Sequence, residues 1–169
     1  MTSTFTSVPR PVPGALLATA RELLVVSFGD DGRAAAMDTW PRGSHLAARW
    51  CEFAAARADT AALTRLRSML ATSTVGFRLL LAGPETDVYL ARATALDCGA
   101  LDEELTLVVT SSDERQVLCA HCKTLTETTE PIGGTVRCAG CDALMLIYHH
   151  YSRRTASYLG FMVNAEELA

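Results

Sequence analysis

The run ELLVVSF (22–28) is almost wholly apolar and ends at GDDG, which predicts a short buried strand followed by a turn. From there the spacing changes. Leu46, Trp50 and Phe53 recur as one face of a helix. A second helix is predicted to start with Asp59 or Thr60 as its N-cap and to carry Leu63, Leu66 and Leu70 inward. VGFRLLLA (75–82) reads as another buried strand, GPETD as the turn into a helix running to about Asp97, and LTLVV (105–109) as a further strand. Strands separated by helices predict an α/β domain over 15–112, with a small, mainly parallel sheet. A Pro-, Ser- and Thr-rich arm at 1–14 precedes it and is expected to be flexible.

The pattern changes at TSSDERQV (110–117), a polar hinge, and a second module is expected over 113–150. PIGGTV carries a hairpin signal, because Gly133 and Gly134 can supply positive φ in a tight turn. The strand ALMLIYHH places Leu144, Leu146 and Tyr148 on one face and Met145, Ile147 and His149 on the other. Both faces are largely apolar, and a module this small offers little to cover them. A partner surface is therefore expected.

Within this module Cys119, Cys122, Cys138 and Cys141 form a C-x2-C-x15-C-x2-C pattern. Each CxxC lets two thiolates converge from a tight knuckle, and two knuckles close a tetrahedron, as in zinc ribbons. A closed set of four thiolates leaves no position for water or substrate, so zinc held there is structural. Iron in a rubredoxin-like electron-transfer site is the alternative, since four sulfurs suit either metal. Lys123 and Asp142 stand where rubredoxin knuckles commonly carry glycine. His121 is read as exposed rather than ligating, and Cys51 and Cys98 as small buried hydrophobes in helices.

Composition narrows the classes. With 49% hydrophobic and 20% charged residues the chain is globular, and a net charge of −4 with a single lysine, Lys123, argues against a nucleic-acid partner. No apolar run reaches the length of a membrane span, and MTSTFTSVPRPVPG lacks the form of a secretory signal. The reducing cytoplasm is the expected compartment, where paired cysteines more often bind metal than form disulfides. GxGxxG, Walker, GxSxG and HExxH patterns do not occur. The turn in LAGPETD is a place where nucleotide phosphates can sit, but alone it is a weak signal and is read as an ordinary strand-to-helix turn. Consecutive His149 and His150 are expected to point to opposite faces, which disfavours a shared catalytic role.

VLCAHC, VRCAGC and especially YHHYSRRTASYLGFMVNAE resemble the small subunit of dimethylamine monooxygenase, most specifically over 117–166. That family is a multi-subunit, haem- and flavin-dependent oxidative N-demethylase. The resemblance implies a non-catalytic structural or regulatory subunit. Its partners would be a haem-bearing subunit and a reductase subunit holding FMN and an iron–sulfur cluster. The complex would use NADPH and oxygen to convert dimethylamine to methylamine and formaldehyde. Carried across, Cys119, Cys122, Cys138 and Cys141 become the metal ligands. Tyr151, Arg153, Arg154, Tyr158, Gly160, Phe161 and Met162 become partner contacts, on an interface tail (151–169) extending away from the ribbon. The N-terminal half resembles, more faintly, the nucleotide half of ferredoxin-reductase folds, with AGP (82–84) echoing their Cys-Gly-Pro turn without the cysteine. A degenerate reductase-like domain kept for docking is the implied reading.

Overall fold

The computed structural model describes residue 7, residues 20–39 and residues 49–163. The chain divides into two units, Arg10–Ser112 and a second that joins Asp113–Ala169 to Met1–Pro9.

The first unit alternates strand and helix: β1 (Glu22–Phe28), α1 (Gly29–Thr39), β2 (Arg49–Ala55), α2 (Thr60–Ala71), β3 (Phe77–Gly83), α3 (Glu85–Asp97) and β4 (Leu105–Val109). All pairings are parallel, in the order β2-β1-β3-β4. The mixed α/β class and parallel sheet agree with the sequence pattern. Every residue of β1 is buried, as a central parallel strand covered on both faces requires. Even Glu22 is buried there, and its carboxylate accepts from the Thr74 amide at 2.9 Å and the Thr74 hydroxyl at 3.2 Å. Leu23, Leu24, Val26, Leu79, Leu80 and Leu81 are essentially inaccessible, each side chain contributing about 2 kcal/mol by burial.

Two features of this unit differ from the pattern reading. GDDG is not a simple turn but the first turn of α1. Asp30 and Asp31 oppose the positive end of the helix there. Gly32 lets the helix approach β3, because a Cβ on it would stand 2.7 Å from the Ala82 carbonyl oxygen. The stretch with Trp50 and Phe53 is strand β2, not a helix, paired over seven residues with β1, and Leu46 lies outside the described residues. Pairing along β1 outweighs the helical spacing of three apolar residues. α2 begins as expected: the Asp59 side chain accepts from the Ala62 amide at 2.8 Å. Leu66 is then buried on its inner face.

The second unit is a five-stranded sheet of β5 (Arg115–Cys119), β6 (Leu125–Thr128), β7 (Thr135–Arg137), β8 (Leu144–Ser152) and β9 (Ser157–Met162). Its order is β6-β5-β9-β8-β7. The β5–β6 and β7–β8 pairs are antiparallel hairpins, and β9 lies between them, parallel to β5 and antiparallel to β8. PIGGTV therefore does not join a paired hairpin. Gly133, at φ 87°, turns the chain from one edge strand to the opposite edge. The expected tail from residue 151 is likewise corrected. Ser157–Met162 is the central strand of the sheet and does not extend away from it. The cause is pairing on both sides: Val117 faces Tyr158, and Leu146 faces Phe161.

The inward face of this sheet carries Val117, Met145, Ile147 and Tyr158, all buried. Gly160 makes that packing possible, since a Cβ there would stand 2.7 Å from Val117 Cγ1 and 2.9 Å from Met145 Sδ. Between Ile147 and Tyr151 the register with β9 slips. Ile147 faces Gly160 and Tyr151 faces Tyr158, so three residues of β8 oppose Leu159 alone.

Candidate metal centre

Each cysteine pair forms the connection of one hairpin, and the two connections repeat one local geometry. In the first, the Cys119 amide donates to the Thr124 carbonyl at 3.0 Å and the Lys123 amide to the Cys119 carbonyl at 3.0 Å. In the second, the Cys138 amide donates to the Ala143 carbonyl at 2.9 Å and the Asp142 amide to the Cys138 carbonyl at 3.0 Å. Lys123 (φ 64°) and Asp142 (φ 57°) both adopt the left-handed conformation that closes the knuckle. Glycine is the usual residue for that conformation, and a side chain there costs about 1 kcal/mol. The absence of glycine has not prevented the fold. It therefore carries no weight between zinc and iron.

The four sulfurs converge. All lie within 4.8 Å of one another, with Cys119 Sγ 3.9 Å from Cys141 Sγ and Cys122 Sγ 3.4 Å from Cys138 Sγ. These separations exceed a disulfide bond, and all four thiols are free. A tetrahedral ion with metal–sulfur bonds of about 2.3 Å needs sulfur–sulfur edges of roughly 3.8 Å. The donor set fits such an ion. The first cysteine of each pair is buried and the second half-buried, so the centre is shielded on the sheet side.

Neighbouring groups point polar hydrogens at the sulfurs. The Cys122 thiol is lowered to about 6, first by the Thr124 hydroxyl and then by the Thr124 amide. Cys138 is lowered by the Cys141 and Gly140 amides, the latter 3.4 Å from its sulfur. The Ala143 amide favours the Cys141 thiolate too. Burial and the surrounding thiols outweigh it and push that thiol up to about 12. Four adjacent thiols do not all ionise unaided; a bound cation removes the obstacle.

Sequence spacing singled out the four thiols that converge but not what holds them in place. A Cβ on Gly140 would stand 2.3 Å from Thr124 Oγ1 and 3.2 Å from Cys122 Sγ, so this glycine sets the approach of the two knuckles. Thr126, buried on β6, accepts from the Ala139 amide at 3.1 Å and ties the second knuckle to the first hairpin. His121 is exposed and outside the thiol cluster. Cys98 caps α3 and is exposed, contrary to the buried reading; Cys51 lies in a strand.

The expected partner-contact residues fall into separate environments. Tyr151, Tyr158 and Gly160 are buried, and Phe161 and Met162 are half-buried. Arg153 and Arg154 are exposed. His149 and His150 do not separate to opposite faces, because the slip in β8 releases them from strand alternation. Their rings lie 6.3 Å apart, with Tyr148 4.0 Å from His149 and 5.6 Å from Phe161. In the first unit the Gly83–Pro84 turn leads into α3 with Glu85 and Asp87 in its first turn. The Asp87 carboxylate is buried there and accepts from the Ala58 amide at 2.8 Å.

The family model for the C-terminal domain of dimethylamine monooxygenase subunit DmmA-like proteins matches residues 116–161, spanning all four cysteines. Residues 116–161 are therefore similar to the C-terminal domain of DmmA-like proteins. A curated relative, the heme-dependent oxidative N-demethylase delta subunit of Ectopseudomonas mendocina (strain ymp), is 31% identical over 102 residues. The alignment spans 60% of this chain and 57% of that relative. Together the two matches bear out the resemblance to the small subunit of this monooxygenase. No solved structure matches the chain. Among the described residues, no helix is long and apolar enough to cross a membrane.

Proposed function

We propose that this chain is a non-catalytic subunit of a haem- and flavin-dependent complex that oxidatively demethylates dimethylamine, with a structural zinc ion held by Cys119, Cys122, Cys138 and Cys141. The observation that carries the reading is the closed four-thiol centre lying wholly inside the DmmA-like segment. Four sulfurs complete a tetrahedron, so a resident zinc ion would have no vacant position for substrate. What the ion supplies is folding free energy, about 10–16 kcal/mol in small zinc peptides. Haem would then reside on a partner chain, as the naming of the relative as a delta subunit of a heme-dependent enzyme suggests, and flavin and the iron–sulfur centre would reside on a reductase chain. The cytoplasm suits four reduced thiols.

Co-expression of the full chain with the haem-bearing and reductase chains tests this reading. The expected result is a complex that demethylates dimethylamine, about one zinc per copy of this chain, and no turnover by this chain alone with NADPH and oxygen.

A rubredoxin-like electron carrier is the second reading. It rests on the four converging sulfurs alone, which suit iron as well as zinc. A reducible visible chromophore with one iron per chain would replace the zinc assignment.

A further inference from the structure

The outward face of the five-stranded sheet is apolar across four strands. Leu125 on β6 faces Leu118 on β5, Leu118 faces Leu159 on β9, and Leu146 on β8 faces Phe161 on β9. Leu144 extends the patch, its carbonyl accepting from the Val163 amide at 3.0 Å. The register of the pairings and the two-residue period of the strands put these positions on one side of the sheet. Leu125 and Leu144 are each 42% exposed, Leu159 37% and Val163 53%. Tyr148 stands beside them at the register slip, edge-on to Phe161. Glu127 and Arg137 occupy the same side only on the two outermost strands.

An apolar centre with a charged margin is the anatomy of a protein interface. Side chains of this size at these exposures present on the order of 400 Å² of apolar surface, within the range of the largest and often functional patch of a monomer, and about half of what one partner buries in a standard interface. The charge pattern indicates the occupant. From Ala143 to Val163 there are two Arg and two His but no Asp or Glu. His149 and His150 cluster at the slip, and Arg153 and Arg154 are exposed in the turn beyond it. A second copy of this hairpin laid on the first would bring like charges together, whereas a different chain can supply carboxylates. Leu118, Leu125, Leu144, Leu146, Leu159 and Phe161 all lie within the segment shared with DmmA-like proteins.

We infer that this face is where the chain docks a different protein subunit of its complex, one presenting an aliphatic surface with acidic residues at the margin that meets His149, His150, Arg153 and Arg154. The inference rests on the subunit reading above and adds to it the surface and the chemistry of its partner. It also replaces the projecting tail with a sheet face.

The test uses the full chain, tagged and co-expressed with the haem-bearing and reductase chains. Leu159→Arg, and independently Leu144→Lys, should weaken co-purification at least tenfold, about the effect of losing a central anchor. Zinc content and hydrogen-exchange protection of Val117 and Ile147 should be unchanged, which separates lost docking from lost folding. Reversing both charges in Arg153→Glu with Arg154→Glu should weaken association and reduce its salt sensitivity. If the wild-type chain fails to co-purify, the subunit reading itself fails. If the wild type co-purifies and both leucine variants do so equally well, the face is wrongly assigned. A wild-type chain that dimerises alone and becomes monomeric on Leu159→Arg would make the face a self-interface and overturn the inference. So would binding to anionic lipid vesicles that Leu159→Arg abolishes.

Discussion

The hydroxyl of Ser7 and the backbone of Tyr151 close on each other across 144 positions of sequence. Ser7 Oγ donates to the Tyr151 carbonyl at 2.6 Å and accepts from the Tyr151 amide at 2.7 Å. Arg153 Nε adds a hydrogen bond to the Ser7 carbonyl at 3.1 Å. One side chain thus does for β8 what a neighbouring strand would do, just past the point where β7 stops pairing with it. Ser7→Ala should leave both Tyr151 groups without this partner, costing about 1–2 kcal/mol. Hydrogen exchange should show it as faster exchange at Tyr151, with β5 and β6 unaffected. Unchanged protection at Tyr151 would show that the contact contributes nothing in solution.

Removal of residues 152–169 takes away β9, which pairs with both β5 and β8. The truncated chain should lose metal and the dispersion of its second unit in amide spectra, while α/β signals persist. An intact metal centre after truncation would mean that the two hairpins assemble without their central strand.

Gly160→Ala adds a methyl group 2.7 Å from Val117 Cγ1 on the packed face of the sheet. Overpacking of this kind typically costs about 1–3 kcal/mol. Gly140→Ala crowds Thr124 Oγ1 and should act on the thiol cluster instead, lowering metal affinity more than it lowers the stability of the α/β unit. Competition with a chromogenic chelator reads the first quantity and thermal unfolding the second.

Burial, with the nearby Glu85 carboxylate adding to it, raises the Tyr89 hydroxyl to about 12 from an ordinary value of 10.0; Arg92 acts the other way. A group with a raised folded pKa contributes stability that is fully present below its unfolded pKa. The α/β unit should therefore hold its stability up to about pH 10 and lose it progressively between 10 and 12, as unfolded chains ionise this phenol and folded ones do not. Tyr89→Phe should flatten that loss. An equal alkaline decline in the variant would remove Tyr89 as its cause.

Much of this architecture was legible where one physical signal dominated. β1 and β4 follow their apolar runs residue for residue, α2 begins at its Asp59 cap, and the thiol cluster follows from two CxxC pairs. Local signals failed where a distant partner decided the outcome. α1 hides behind two glycines because its closeness to Ala82 is a tertiary fact. β2 carries a helical spacing that pairing with β1 overrides. The central place of β9 depends on β5, about forty residues earlier, and no local pattern reports that parallel pairing. The clustering of Tyr148, His149 and His150 requires a slip of register that strict alternation cannot express. Thr124 and Gly140 support the sulfurs from positions that no ligand-spacing rule includes.

Because β9 lies between them, the hairpins bearing the two knuckles never pair with each other. The metal centre spans a gap one strand wide, and β9 is the last of the described strands to be synthesised. Two knuckles clamped on one ion would hold that gap open at a fixed width, turning a slow search for a long-range parallel partner into the filling of a prepared slot. Metal supply would then govern not only whether this unit is stable but when in the life of the chain its outer face comes into being.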